Sequence, residues 1–223
     1  MNERLLIFDC DGVLVDSECI AADVFLDHIR AAGGVIDDTD AYTRFLGRTS
    51  AAVHRILRDE YDVVFTPSQL ERMQADLFER LRQNLEPTPG LPEVLPHVSG
   101  PRCVASSSTP ERIRLELDVT GLLGHFEPHV YSASMVREGK PAPDLFLHAA
   151  AASGATPADC VVIEDSPSGV LAAQAAGMRV LAFTGGAHAA LCNLDVEIAK
   201  LSPDAIFDDM HKLPDLLTAL EVR

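Results

Sequence analysis

The stretch that most constrains this chain is Leu5-Leu6-Ile7-Phe8-Asp9-Cys10-Asp11-Gly12-Val13-Leu14-Val15-Asp16-Ser17-Glu18. Its opening apolar run is too short for a helix and ends abruptly in two aspartates two apart and a glycine. It therefore reads as a buried strand whose carboxyl end delivers acid groups to a crevice, where open α/β sheets keep their chemistry. Asp9 and Asp11 suit three tasks: holding a hard divalent cation, attacking phosphorus as a carboxylate nucleophile, or moving protons as general acid and base. Asp and Gly are also ordinary turn residues, so on this stretch alone a turn-and-cap role is an equal reading.

Two later segments repeat the theme of a strand with chemistry at its tip, and a loop between them adds a cation. Arg102-Cys103-Val104-Ala105 ends in Ser106-Ser107-Ser108-Thr109-Pro110-Glu111. There the Ser106 hydroxyl and the Ser107 amide suit a transferring phosphoryl group, while Ser108 with Glu111 fits a capping box and Pro110 a first helical turn. Lys140 lies in Val136-Arg137-Glu138-Gly139-Lys140-Pro141-Ala142-Pro143-Asp144, in a chain with fifteen arginines and only three lysines. A lone loop lysine is usually a wet surface charge, but the flanking glycine and prolines make a rigid loop able to aim a compact cation. Cys160-Val161-Val162-Ile163-Glu164-Asp165-Ser166-Pro167 is a further buried strand ending in adjacent acids, with Ser166 placed to cap the next helix and Pro167 at its first position. Magnesium takes an octahedron of oxygens with few protein ligands, which Asp9 and Asp165 suit directly and Glu164 directly or through water. Gly177 closes that helix, Arg179 to Phe183 forms another strand, and Ala205-Ile206-Phe207 with a helix ending near Leu220 completes and covers the sheet. His188, in a glycine-rich loop, reads as a surface residue.

Residues 16–86 change character. Ile20, Val24, Phe25 and Ile29, then Val53, Ile56 and Leu57, recur at helical spacing. Asp16 or Ser17 is placed to cap the first helix and Gly33-Gly34 to end it; Thr49 or Ser50 starts another after Gly47-Arg48, and Pro67-Ser68 opens a third running towards Leu85. Glu86-Pro87-Thr88-Pro89-Gly90-Leu91-Pro92 reads as a linker. The expected architecture is a doubly wound, mainly parallel α/β core of residues 1–14 and 90–223, carrying an α-helical insert with its linker over residues 15–89.

Asp9-Cys10-Asp11-Gly12-Val13-Leu14-Val15-Asp16-Ser17-Glu18, the Ser106 strand end, the Lys140 loop and the Glu164-Asp165 strand end resemble, in that order, the four motifs of the haloacid dehalogenase-like phosphohydrolases. The branch is that of phosphoglycolate phosphatase and β-phosphoglucomutase, with a Rossmann-like core. The resemblance implies that Asp9 is the phosphoryl-accepting nucleophile and Asp11 the general acid/base. It also implies that Ser106, Ser107 and Lys140 hold the phosphoryl oxygens, and that Asp9, the Asp11 backbone carbonyl, Glu164 and Asp165 hold Mg2+. It further implies that the helical insert is a cap closing over a small phosphorylated metabolite, a sugar phosphate or phosphorylated sugar acid. Within that cap Arg48 of Gly47-Arg48-Thr49 is the candidate substrate contact, a guanidinium fork suiting carboxylate, hydroxyl or phosphate groups.

Alternatives within the family separate on residues. A haloacid dehalogenase lacks the second aspartate, and phosphonoacetaldehyde hydrolase needs a cap lysine, whereas no lysine here precedes Lys140. A β-phosphoglucomutase-like mutase shares the core but carries a cap histidine where this chain has Ala21. A phospho-accepting receiver shares the acidic pocket and lysine, but not a helical insert behind its first strand. A catalytically silent binding protein is the remaining non-enzyme reading.

At 223 residues and 47% hydrophobic content the chain can bury one large core with a small appended one. The formal charge of −16 argues against a nucleic-acid partner and requires local positive features to draw in an anionic substrate. The five cysteines, odd in number and without CxxC spacing, read as reduced core residues, and no signal or membrane-spanning segment is apparent. A monomeric cytoplasmic protein is expected.

Overall fold

The computed structural model describes residues 4–37 and 50–221. A six-stranded sheet runs through it: β1 (Leu5–Phe8), β2 (Arg102–Ser106), β3 (Val130–Ser132), β4 (Cys160–Glu164), β5 (Arg179–Phe183) and β6 (Ala205–Phe207). The strands are all parallel, in the order β3-β2-β1-β4-β5-β6. The chain winds outward from β1 through β2 to β3, then returns past β1 to β4. The order therefore reverses beside β1, and the crevice at the strand ends opens there. Phe8 lies level with Val104 of β2 and Ile163 of β4, so the acids and hydroxyls that follow these strands leave the sheet together.

Both faces of the sheet are buried, which is why its strands read as unbroken apolar runs. Leu6 and Phe8 enter a layer with Val104, Val161, Ile163 and Leu181, covered by α4 (Leu91–Val94), α5 (Pro110–Val119) and α10 (Leu213–Glu221). Leu5 and Ile7 point the other way, to Cys103, Val162 and Val180. That layer is covered by α6 (Asp144–Ala152), α7 (Pro167–Ala175), α8 (Ala187–Leu191) and α9 (Leu194–Ala199). Each large aliphatic side chain fully buried in these layers contributes about 1.5–3 kcal/mol.

Three helices precede β2: α1 (Glu18–Ala31), α2 (Ser50–Tyr61) and α3 (Pro67–Asn84). The glycine pair ends α1 as expected: Gly33 takes φ +91° and the Gly34 amide donates to Ile29 O at 2.9 Å. Thr66 caps α3 through a reciprocal capping box with Gln69, and Pro67 occupies its first turn. Leu26, Ile29, Ile36, Val53, Leu57 and Val63 form a hydrophobic cluster apart from the two sheet layers, with Phe25 edge-on to Phe65 at 6.0 Å. The chain leaves the core and returns to it along adjacent segments. Asp16 N donates to Glu86 O at 3.2 Å, Thr88 N donates to Leu14 O at 3.0 Å, and Val15 bridges Pro87. Gly47-Arg48-Thr49 lies outside the described residues. Among the described residues no helix is long and apolar enough to cross a membrane.

Two details differ from expectation. Ser17 stands at the cap position of α1 but its side chain makes no cap bond, because the hydroxyl is drawn to Asp11 instead. Of the cysteines, Cys10, Cys103 and Cys160 are buried, whereas Cys19 and Cys192 are only half-buried.

Leu57 is fully buried in the helical cluster. Leu57→Ala is expected to destabilise that cluster by about 2–5 kcal/mol. Hydrogen exchange should then quicken in α1–α3 before the amides of β1 and β4 respond, and equal acceleration everywhere would show that the cluster has no stability of its own.

Candidate active site

Asp9 follows β1 directly, its amide donating to Ile163 O at 3.0 Å, so the carboxylate is delivered at the junction of the two central strands. Lys140 Nζ reaches it from the loop before α6, donating to Asp9 Oδ1 at 2.8 Å and to Glu164 Oε1 at 2.7 Å. The ammonium lies 4.9 Å from the Phe146 ring centroid and is almost wholly out of solvent. Burial alone would lower its pKa; the two carboxylates outweigh that and raise it, so the lysine is charged. Glu164 turns its other oxygen to the start of α7, accepting from Ser166 N at 2.7 Å and Ser166 Oγ at 3.0 Å. Ser166 Oγ also accepts from Gly169 N at 3.0 Å, so the expected helix cap orients an acid as well.

Asp165 is the neighbour on the far side. It pairs through Oδ2 with His188 Nε2 at 2.9 Å. His188 is 3% exposed, which corrects its reading as a surface residue. The ring fits because Gly12 and Gly186 have no side chains: a Cβ on either would come within 2.9 Å of it. Burial would lower the imidazole pKa, but the Asp165 bond and carboxylate raise it. Glu18, at the start of α1, stands near the same group; burial first, then Asp11 and Asp165, push its carboxyl up to about 7.

Asp9, Glu164 and Asp165 present carboxylate oxygens within 4.8 Å of one another. Burial pushes Asp9 well above the ordinary carboxylate range, Lys140 pulls it down, and Glu164 and Asp165 push it up again. Three acids sharing a dry site suit a hard divalent cation: the donors are all oxygen and their mutual repulsion is what a cation relieves.

Asp11 takes a different direction. Gly12 adopts φ +75°, and the amides of Val13, Leu14 and Val15 fold back on Cys10 O. Asp11 Oδ1 accepts from Ser17 Oγ at 2.6 Å and from Arg112 Nη2; Oδ2 accepts from Ser108 Oγ at 2.7 Å and Ser106 Oγ at 3.3 Å. Burial would raise its pKa, but Arg112 and the hydroxyls of Ser17 and Ser108 lower it. Arg112 Nε donates to Glu116 Oε1 at 2.7 Å one turn along α5.

The structure thus brings together Asp9, Asp11, Ser106, Lys140, Glu164 and Asp165. Ser107 is exposed at the tip of β2, and Arg48 is among the residues not described. The expected Ser108–Glu111 capping box is absent. Thr109 caps α5 instead, accepting from Arg112 N at 3.3 Å, which frees the Ser108 hydroxyl for Asp11. Arg112 and Glu116 were not anticipated. Their i,i+4 spacing immediately behind the serine cluster was the available signal, and it reads equally as a surface pair.

Comparison with known proteins agrees with the geometry. A family model described as haloacid dehalogenase-like hydrolase matches residues 3–177. The chain is 26% identical over 215 residues to 6-phosphogluconate phosphatase of Escherichia coli, spanning 96% of this chain and 94% of that protein. It superposes on a conserved haloacid dehalogenase-like protein of unknown function from Agrobacterium tumefaciens with TM-score 0.85, at 35% identity over 99% of this chain and all of the other. A HAD family hydrolase from Deinococcus radiodurans, crystallised with phosphate and sodium, matches with TM-score 0.77, at 30% identity over 99% and 97% of the two chains.

A Cβ at Gly169 would lie 1.7 Å from Glu164 Oε1. Gly169→Ala must therefore displace the Glu164 carboxylate from Lys140, and divalent-cation affinity is expected to fall roughly tenfold or more by calorimetric titration. Unchanged affinity would mean that Glu164 is not part of the cation site.

Proposed function

The chain belongs to the haloacid dehalogenase-like hydrolases, and from that membership we propose that it is a Mg2+-dependent phosphatase of a small phosphorylated metabolite, acting through an aspartyl phosphate on Asp9. The observation that carries the reading is the convergence of Asp9, Glu164 and Asp165 on one point, with the Lys140 ammonium bridging Asp9 and Glu164 and the Ser106 hydroxyl at the adjoining strand tip.

In this reading Asp9 attacks phosphorus in line with the departing alcohol. Lys140 draws the Asp9 carboxyl back towards its ionised form against burial and neutralises charge on the phosphoryl oxygens, and Ser106 with the Ser107 amide donates to them. Asp11 must enter the reaction in its protonated form, although Arg112 and its hydroxyl partners favour the anion; it gives that proton to the ester oxygen as the phosphorus–oxygen bond breaks, and regains one from the water that hydrolyses the aspartyl phosphate. Asp9, Glu164, Asp165 and the Asp11 carbonyl would hold Mg2+, which when bound would supply charge neutralisation at the transferring group.

The helices of residues 15–89 serve as a cap. Their separate hydrophobic cluster and the paired chain crossings at residues 14–16 and 86–88 support this. The substrate class is a sugar phosphate or phosphorylated sugar acid, supported by the relative that acts on 6-phosphogluconate. Arg48 in the cap contacts the non-reacting part of it.

Phosphate release from a panel of phosphorylated metabolites, measured with Mg2+ and then with chelator, tests the proposal. Metal-dependent release from a small cluster of sugar phosphates or sugar acids is expected, and isomerisation of β-glucose 1-phosphate without release would replace hydrolysis by a mutase reaction. Asp9→Asn is expected to lower turnover by about a thousandfold or more with the fold unchanged. Substantial residual activity in that variant would remove the covalent mechanism.

A further inference from the structure

Asp11 is held from four directions, and the group that holds it most strongly is not in any of the four motifs. Ser17 and Arg112 donate to Oδ1, and Ser108 and Ser106 to Oδ2. Arg112 is also shared: its Nε donates to Glu116 Oε1 at 2.7 Å, and Glu116 is fully buried with its other oxygen accepting from Cys10 Sγ at 3.5 Å. A buried set of two acids and one guanidinium is often no more stable than apolar side chains of the same volume, so its presence is weak evidence of a role in stability. Its presence beside the acid/base therefore calls for another explanation, and orientation is the one the geometry supplies.

Asp11 has two tasks on one ester oxygen and one water, and both require its carboxyl to leave some of the present donors. Ser106 has a single hydroxyl proton; given to a phosphoryl oxygen, it is withdrawn from Asp11. Arg112 meets the opposite need. Its planar fork presents Nη2 to Asp11 while Nε stays on Glu116, so the guanidinium keeps a buried hydrogen-bond partner and a fixed position however the Asp11 carboxyl turns.

We infer that Arg112, anchored by Glu116, is a positioning residue that sets the direction of the Asp11 carboxyl for proton transfer to the leaving group. The inference rests on the acid/base role proposed for Asp11 above. Arg112 acts through Asp11 and Glu116 through Arg112.

Leaving-group dependence distinguishes this from a structural role. An alkyl phosphate needs a proton on its departing oxygen, whereas acetyl phosphate releases a carboxylate that does not. The measurement is kcat/KM, which reports the first phosphoryl transfer, for acetyl phosphate and for the alkyl phosphate that the wild-type protein turns over fastest. The variant is Arg112→Met with Glu116→Gln, which removes the guanidinium and its carboxyl partner together and leaves neither buried alone. The alkyl-to-acetyl ratio of kcat/KM is expected to fall by at least about fivefold. A smaller change overturns the inference, whether both rates persist or both fall together, the latter being what loss of structure gives. Should the double variant not fold, Arg112→Lys decides by the same criterion, since lysine keeps the charge and loses the fork. A wild-type protein that releases phosphate from neither compound would overturn the phosphatase reading and this inference with it; wild-type activity with an unmoved ratio overturns the inference alone.

Discussion

Three carboxylates meeting in a dry crevice drive one another apart or take up protons, and the contact that opposes this in the protein itself is the Lys140 ammonium. It lies between Asp9 at 2.8 Å and Glu164 at 2.7 Å with almost no exposure to solvent. Removing one partner from a buried ionic group leaves the others uncompensated, at a cost of several kcal/mol. Much of the architecture serves this contact. β1 and β4 must be neighbours for Asp9 and Glu164 to share one cation, and the chain between β3 and α6 must return to the same strand ends to supply it. The Phe146 ring from the start of α6 supplies an apolar wall and a favourable quadrupole beneath the ammonium.

The two aspartates of the first motif have separate cations, and this division follows from the backbone between them. In a continued strand, residues two apart would share a face. The strand ends at Phe8, however, and the turn through Gly12 folds three amides onto Cys10 O. Asp9 stays with the sheet and with Lys140; Asp11 is carried towards α5 and Arg112. A molecule with a formal charge of −16 thus gives each of these two aspartates a buried cation of its own.

The sheet was legible because its strands are short, apolar and end in chemistry: β1, β2, β4 and β5 are where the residues suggested, as are the ends of α1, α3 and α7. β3, only three residues long, has no pattern to separate it from a loop. Even so, its Ser132 hydroxyl donates to Ser108 O at 2.6 Å and so steadies the serine cluster. That Asp9, Ser106, Glu164 and Asp165 gather at one end of the sheet was equally legible, since each stands at a strand tip, and Lys140 could be picked out by its rigid loop. Arg112, Glu116 and His188 were not legible, because their meaning depends on what stands opposite them in three dimensions. An Arg–Glu pair at i,i+4 and a histidine in a glycine-rich loop look the same in sequence whether they face water or an aspartate.

Glycine was the residue read least completely. Gly12, Gly169 and Gly186 pass in sequence for turn and breaker residues, and for Gly12, at φ +75°, that is part of the truth. Gly169 has no such conformation: it lies in the first turns of α7, where alanine would favour the helix by about 0.5–1 kcal/mol. The absent methyl group is the explanation. Glu164 occupies the space beside Gly169, Asp165 and His188 that beside Gly12, and His188 that beside Gly186. The acids and the imidazole therefore approach the backbone more closely than any side chain would allow, and the site's shape is set as much by these three missing side chains as by the charged ones present.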